Sequence, residues 1–138
     1  MKIVYWSGSG NTEKMANLIA EGIRSEGKEA DVIHVSEAKN DIFDNEDVVI
    51  LGCPAMGAEV LEECEFEPFV EEISSRVSGK KAVLFGSYGR GDGEWMRNFE
   101  ERMADYGCQI PLECKIVNEA PEDNDPSLIE YGKQIAKL

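Results

Sequence analysis

Short apolar runs and amphipathic stretches alternate along the 138 residues of this chain. Residues 3–6 (Ile-Val-Tyr-Trp), 48–51 (Val-Val-Ile-Leu) and 82–85 (Ala-Val-Leu-Phe) are continuous apolar runs of four. Runs without polar alternation mark strands covered on both faces. Residues 31–35 supply another strand, and a fifth falls between 109 and 117. Between the strands the period becomes helical. Met15, Leu18, Ile19 and Ile23 share one side of a helix over 13–25, stopped by Gly27. Phe66, Phe69, Val70, Ile73 and Val77 form the next stripe, ended by Gly79. Met96, Phe99 and Met103 define a third helix, capped by Asp92, running to Tyr106 and closed by Gly107. Asp125 followed by Pro126 reads as the cap and first residue of a last helix. The acidic connection 36–47 has room for a short helical turn.

Five strands alternating with helices predict an α/β fold: one domain over residues 1–138, a doubly wound, three-layer parallel sheet with right-handed crossovers. In such open sheets ligands sit beyond the carboxyl ends of the strands, where the strand order reverses. The loops after the first, third and fourth strands, 7–12, 53–65 and 86–93, therefore carry the functional question.

Bulk properties narrow it. A hydrophobic fraction of 42% and a charged fraction of 30% are those of a soluble globular protein. No apolar run approaches the roughly 20 residues of a membrane span. Met1-Lys2 leads straight into a strand, so no signal peptide is expected and a cytoplasmic location is. Twenty-eight acidic residues against fourteen basic ones give a net charge of -14. Such a surface repels nucleic acid and anionic membranes and attracts proteins with basic patches. Cys53, Cys64, Cys108 and Cys114 form no CxxC or zinc-ligand pattern, and His34 has no second histidine with which to share a metal. The cysteines read as free thiols, with no metal site.

The first loop, Ser7-Gly8-Ser9-Gly10-Asn11-Thr12, is small, polar and uncharged. A glycine-rich turn between strand and helix aims backbone N–H groups and the helix dipole at whatever lies above it. The hydroxyls of Ser7, Ser9 and Thr12 and the amide of Asn11 add donors, which suits a compact oxyanion such as a phosphate monoester. A triphosphate loop would need G-x-x-x-x-G-K-[ST], yet the first lysine of this segment is Lys14, already in the helix. A dinucleotide loop would need a third glycine where Glu13 stands.

The other two loops combine glycine with flat or soft side chains: Met56 in one, Tyr88, Arg90 and Trp95 in the other. Met56 and the aromatics can cover the faces of a planar ring. Gly57 lets backbone approach a ring edge, and Glu59 can accept a hydrogen bond from a ring N–H. A phosphate at one end and a flat heterocycle at the other outline a flavin mononucleotide, FMN.

At this point the chain resembles the flavodoxin family, specifically its short-chain, clostridial-type branch. The resemblance spans the whole chain through IVYWSGSGNTEKMA, LGCPAMG and LFGSYGRGDGEWM, in the family's order and spacing. The short fifth strand, with no insertion near 111–118, suggests the short-chain branch. The resemblance implies the strand order 2-1-3-4-5 and noncovalently bound FMN. It also implies a monomeric, low-potential one-electron carrier, shuttling its cofactor between semiquinone and hydroquinone to pass electrons between redox proteins, and not an enzyme. Carried over by position, Ser7, Gly8, Ser9, Gly10, Asn11 and Thr12 would cradle the phosphate. Pro54, Ala55, Met56, Gly57, Ala58 and Glu59 would meet one side of the ring, with Met56 on its face and Gly57 and Glu59 at its edge. Ser87, Tyr88, Gly89, Arg90 and Gly91 would form the other side.

Three departures from the family pattern stand out. Ser9 replaces a usual threonine and keeps its hydroxyl. Ala58 stands where Asp, Asn, Gly or Ser is common, a cost of about 1 kcal/mol if that position needs positive φ. Arg90 takes the place of a tryptophan that covers the outer ring face; a guanidinium plane can also stack there. An FMN-dependent quinone or flavin reductase would share the fold but would need a nicotinamide-binding surface. A phospho-receiver would need an aspartate where Gly52-Cys53 ends the third strand.

Overall fold

The computed structural model describes residues 1–138. Strands β1 (Lys2–Tyr5), β2 (Asp31–His34), β3 (Val48–Gly52), β4 (Lys81–Tyr88) and β5 (Lys115–Asn118) alternate with helices α1 (Asn11–Ser25), α2 (Phe66–Glu72), α3 (Glu94–Asp105) and α4 (Pro126–Ala136). All strand pairs are parallel and the order is β2-β1-β3-β4-β5. The order reverses between β1 and β3, so their carboxyl ends diverge into the crevice where ligands sit in this architecture. No helix is long and apolar enough to cross a membrane.

Alternation within the apolar runs explains both covered faces. Val4, Val49, Leu51, Ala82 and Leu84 point toward the layer holding α2 and α3, where Phe66, Phe69, Trp95, Phe99 and Met103 complete a core. Ile3, Tyr5, Val48, Ile50, Val83 and Phe85 point the other way, onto Met15, Ile19 and Ile23 of α1 and Leu128, Tyr131 and Ile135 of α4. Burying each such aliphatic side chain stabilises the fold by roughly 1.5–3 kcal/mol. The two edge strands, β2 and β5, contain no buried residue, in keeping with their single neighbour.

Helices α1 and α4 meet at two glycines. A Cβ at Gly22 would collide with the Ile129 carbonyl, and one at Gly132 with the Ile19 carbonyl. Only glycine allows backbones so close, a packing role that the sequence pattern does not announce.

Several boundaries differ from expectation. The stripe from Phe66 to Val77 is helical only as far as Glu72; residues 73–76 continue as turns, with Ser74 N–H bonded to the Glu71 carbonyl and Arg76 N–H to that of Ile73. Consecutive serines favour such local alternatives. Strand β4 runs three residues past the expected end at 85, because Gly86, Ser87 and Tyr88 pair with Ile116, Val117 and Asn118. Strand β5 begins only at Lys115; Pro111, which lacks an N–H, lies in the preceding irregular stretch. Asp92 does not cap α3. The N-cap is Gly93, at φ 93° with no side-chain bond, while Asp92 is held by Arg97 through its carbonyl and its carboxylate. Asp125 caps α4 as expected, accepting the Ser127 N–H at 3.0 Å, with Pro126 at the first position.

Candidate functional site

Beyond the carboxyl ends of β1, β3, β4 and β5 lies an open cleft of about 450 Å³, lined by Ser9, Asn11, Pro54, Ala55, Ser87, Tyr88, Gly89, Glu119 and Ala120. Its size falls in the range of small-molecule and cofactor sites. All three loops singled out from the sequence contribute to it.

The first loop is shaped from within. Gly10 donates its N–H to the Ser7 hydroxyl at 3.1 Å and, at φ 96°, turns the chain into α1 as its N-cap. Gly8 lies against the Trp6 indole, whose ring would clash with a Cβ there. Ser9 and Asn11 face the cleft, whereas Thr12 is buried and its hydroxyl meets that of Ser87 at 3.1 Å. The free N–H groups of the first turn of α1 thus open beside the exposed Ser9 and the half-buried Asn11, an uncharged set of donors of the kind that suits an anion.

The second loop leaves β3 at Cys53, whose N–H donates to the Phe85 carbonyl, and Ala55 N–H then donates to the Ser87 carbonyl. Pro54 and Ala55 therefore continue along β4 and line the cleft. Next comes a tight turn: Glu59 N–H bonds the Met56 carbonyl at 2.8 Å and Met56 N–H bonds the Val60 carbonyl at 2.9 Å. Gly57 and Ala58 are the exposed middle of that turn and Met56 is half-buried at its start. Ala58 does not adopt a left-handed conformation; Glu59 does, at φ 52°. Residue 58 therefore needs no positive φ, which falls one residue later.

The third loop is placed by the long β4. Ser87 is buried, Tyr88 half-buried and Gly89 exposed, all lining the cleft. Arg90 and Gly91 lie beyond it, exposed. Arg24, Arg76, Arg97 and Arg102 each donate to an oxygen of the protein, but Arg90 has neither a hydrogen bond nor an ion pair. Trp95, expected among the ring-covering aromatics, is instead in the core: it is 1% exposed and its Nε1–H donates to the Cys53 carbonyl at 3.1 Å. It sits in the first turn of α3 and supports Tyr88, whose ring packs against it at 5.6 Å.

The second and third loops meet at Glu59 and Gly91. A Cβ at Gly91, where φ is 87°, would fall on the Glu59 carboxylate. Glu59 Oε1 is the molecule's one buried side-chain nitrogen or oxygen without a hydrogen-bond partner. A desolvated acceptor of this kind is costly unless a donor completes it. A flavin ring edge, with its N–H, supplies such a donor, so the residues present fit FMN.

One wall was not foreseen. Glu119 and Ala120, directly after β5, line the cleft beside Tyr88 and Gly89. Glu119 N–H bonds the Tyr88 carbonyl at 2.6 Å, and Asn118 Nδ2 reaches the Tyr88 and Gly89 carbonyls at 3.4 Å each. Glu119 has φ 58° and, with Glu59, is one of the only two left-handed residues other than glycine; Glu119 lines the cleft, whereas Glu59 lines a separate cavity of about 170 Å³ with Trp95, Phe99 and Arg102. The signal of Glu119 in the sequence was only position, at the carboxyl end of a fifth strand.

Burial pushes the Cys53 thiol up to about 12 and that of Cys108 to about 11, and burial with the Glu100 carboxylate raises Cys114 to about 12. No cysteine is in a disulfide.

Comparison with known proteins agrees with this architecture. The flavodoxin family model matches residues 3–132. The chain is 60% identical to a flavodoxin of Clostridium beijerinckii over 138 residues, the whole of both chains. It is 44% identical to a flavodoxin of Megasphaera elsdenii, covering 99% of this chain and 98% of that one. The solution structure of the two-electron reduced Megasphaera elsdenii flavodoxin superposes with a TM-score of 0.89 over 99% of this chain and 98% of that one, at 40% identity in that alignment. With its sheet order, its three-loop cleft and these full-length matches, the chain belongs to the flavodoxin family, the FMN-binding electron carriers.

Proposed function

We propose that this protein is a low-potential one-electron carrier that holds FMN noncovalently and works mainly between its semiquinone and hydroquinone states. The observation that carries the reading is the orphaned, buried Oε1 of Glu59, an acceptor set against Gly91 where the two ring loops meet. When bound, FMN supplies one-electron redox chemistry; the protein supplies placement and electrostatics.

In this reading Ser7, Gly8, Ser9, Gly10, Asn11 and Thr12 hold the phosphate through backbone N–H groups and hydroxyls. Pro54, Ala55, Met56, Gly57, Ala58 and Glu59 take one side of the ring, and Ser87, Tyr88, Gly89, Arg90 and Gly91 the other. Glu119 and Ala120 border the span between phosphate and ring. Gly57, which meets nothing within 4 Å of an added Cβ, is free to turn its peptide and offer a carbonyl to a ring nitrogen that gains a proton. Glu59, Glu62, Glu63 and Glu65 belong to the second loop and Asp92 to the third, in a protein of net charge -14. Negative charge added to the ring is disfavoured there, which lowers the potential of the second electron.

The same acidity selects partners: redox proteins with basic docking surfaces, met in the cytoplasm by a monomeric carrier, with transfer slowing as salt rises. A redox titration of the purified protein with FMN tests the proposal. Two separated one-electron steps, the second at low potential, are expected. A colourless protein that takes up no FMN, or one that steadily oxidises a nicotinamide cofactor by itself, would refute it.

A further inference from the structure

Only three polar or charged side chains of the molecule are buried: Thr12, Glu62 and Ser87. Thr12 and Ser87 belong to the first and third loops, which line the cleft; Glu62 belongs to the second loop but lies outside the cleft. Thr12 and Ser87 satisfy one another, but Glu62, 6% exposed, has no ion-pair partner. Its carboxylate is satisfied by backbone. Oε2 accepts from Cys64 N–H at 2.8 Å, and Oε1 accepts from Glu65 N–H at 2.7 Å and Phe66 N–H at 2.9 Å.

Those three N–H groups lead into and open α2, whose N-cap residue, Glu65, makes no side-chain bond of its own. The backbone of Glu62 completes a knot. Its N–H reaches the Cys53 Sγ at 3.4 Å and its carbonyl accepts from Glu67 N–H at 2.9 Å. Cys53 is itself fixed at the end of β3 by the Phe85 carbonyl and the Trp95 indole. Glu62 thus ties the last residue before the second loop to the first turn after it, and the turn 56–59 stands on that closed base.

Burial alone would raise the Glu62 carboxyl, yet the three N–H groups outweigh it and hold the group below the usual glutamate range. It stays ionised at neutral pH and keeps its acceptors.

We propose that the Glu62 side chain is a positioning group for the cofactor ring: it touches no ligand, but by holding the N–H groups of Cys64, Glu65 and Phe66 it fixes the far end of the second loop and so sets where Met56, Gly57 and Glu59 stand. This rests on the FMN reading. It deepens that reading by assigning ring affinity, as distinct from phosphate affinity, to a side chain outside the cleft.

The test compares FMN with riboflavin, which has the ring and ribityl chain but no phosphate, by flavin fluorescence quenching on the full chain. Glu62→Ala should weaken both ligands by about tenfold and by the same factor. Glu62→Asp keeps the charge but shortens the tether by one methylene; it should weaken both by about threefold, and it decides the matter if the alanine variant does not fold. Unchanged dissociation constants in a variant of lowered Tm would overturn the proposal, leaving Glu62 a helix cap. A loss confined to FMN would overturn it too, by placing the effect at the phosphate. Wild-type protein that binds neither flavin would sink the FMN reading itself, a result distinct from any difference between variants.

Discussion

The hydroxyls of Thr12 and Ser87 lie 3.1 Å apart, both buried, across 75 residues of sequence. Thr12 closes the first loop within the first turn of α1, and Ser87 ends the buried part of β4 before the rest of the third loop. This contact holds the two ends of the cleft at a fixed separation.

Replacing Thr12 by valine keeps the volume and leaves the Ser87 hydroxyl buried without its partner. The expected loss of stability is about 1–3 kcal/mol, read from urea denaturation. FMN affinity should fall by more than riboflavin affinity, because Thr12 serves the phosphate end. That is the converse of the pattern expected for Glu62, and calorimetric titration with both flavins distinguishes the two.

How much of this was legible beforehand depended on where tertiary context entered. Residues 48–51 read as a buried strand because nothing but a two-sided core accommodates Val-Val-Ile-Leu, and β3 forms there. Gly86-Ser87-Tyr88 reads as loop by composition; pairing with β5 makes it strand, which no local propensity encodes. Trp95 looked like a ring cover because it follows a glycine-rich stretch, yet it falls one residue into α3, on the core side. Glu119 carried no chemical signal at all. Its place follows from the register of Asn118 with Tyr88, a long-range fact. The three loops that border the cleft, by contrast, are readable from their place after β1, β3 and β4 and from the glycine in each.

The turn 56–59 yields a sharper prediction than the sequence allowed. Gly57 is not left-handed and has open space where a Cβ would go, so Gly57→Thr fits the turn without a clash. A β-branched residue resists peptide reorientation, however. The variant should fold with wild-type stability and bind oxidised FMN, yet accumulate less semiquinone during reductive titration at pH 7. Unchanged semiquinone accumulation would remove peptide reorientation from the account.

Acid should weaken the cap of α4. Asp125 accepts from Ser127 N–H at 3.0 Å and from the Ser127 hydroxyl at 2.6 Å, and these bonds hold its carboxyl below the usual aspartate range despite some burial. A depressed folded-state pKa contributes stability above the unfolded value, about 3.9, that is lost as pH falls through the folded value. Asp125→Ala should therefore cost about 1 kcal/mol at pH 7, and the gap between variant and wild type should narrow below pH 4. Urea denaturation at pH 7 and pH 3 measures both. A gap that stays constant would mean that the carboxylate charge plays no part.

Arg90 carries the most distinctive prediction of this chain. Exposed between Gly89 and Gly91, it is the one arginine bonded to nothing, and the neighbouring Asp92 is occupied by Arg97. A free guanidinium in the third loop, in a protein of net charge -14, would stabilise negative charge on a bound ring when it lies over it. Two unit charges 4 Å apart interact by about 4 kcal/mol at an effective dielectric of 20. Solvent exposure reduces such a pair to roughly 0.2–1 kcal/mol. For a one-electron couple that is roughly 10–40 mV. Arg90→Trp should therefore lower the semiquinone/hydroquinone potential by that amount and leave the first couple less affected. Raising ionic strength screens the acidic surface and should raise this potential in both proteins, in the wild type by less, since screening there also weakens the attraction of the charge that tryptophan lacks. Equal potentials for the two proteins, at low and high salt alike, would mean that the side chain points away from the ring.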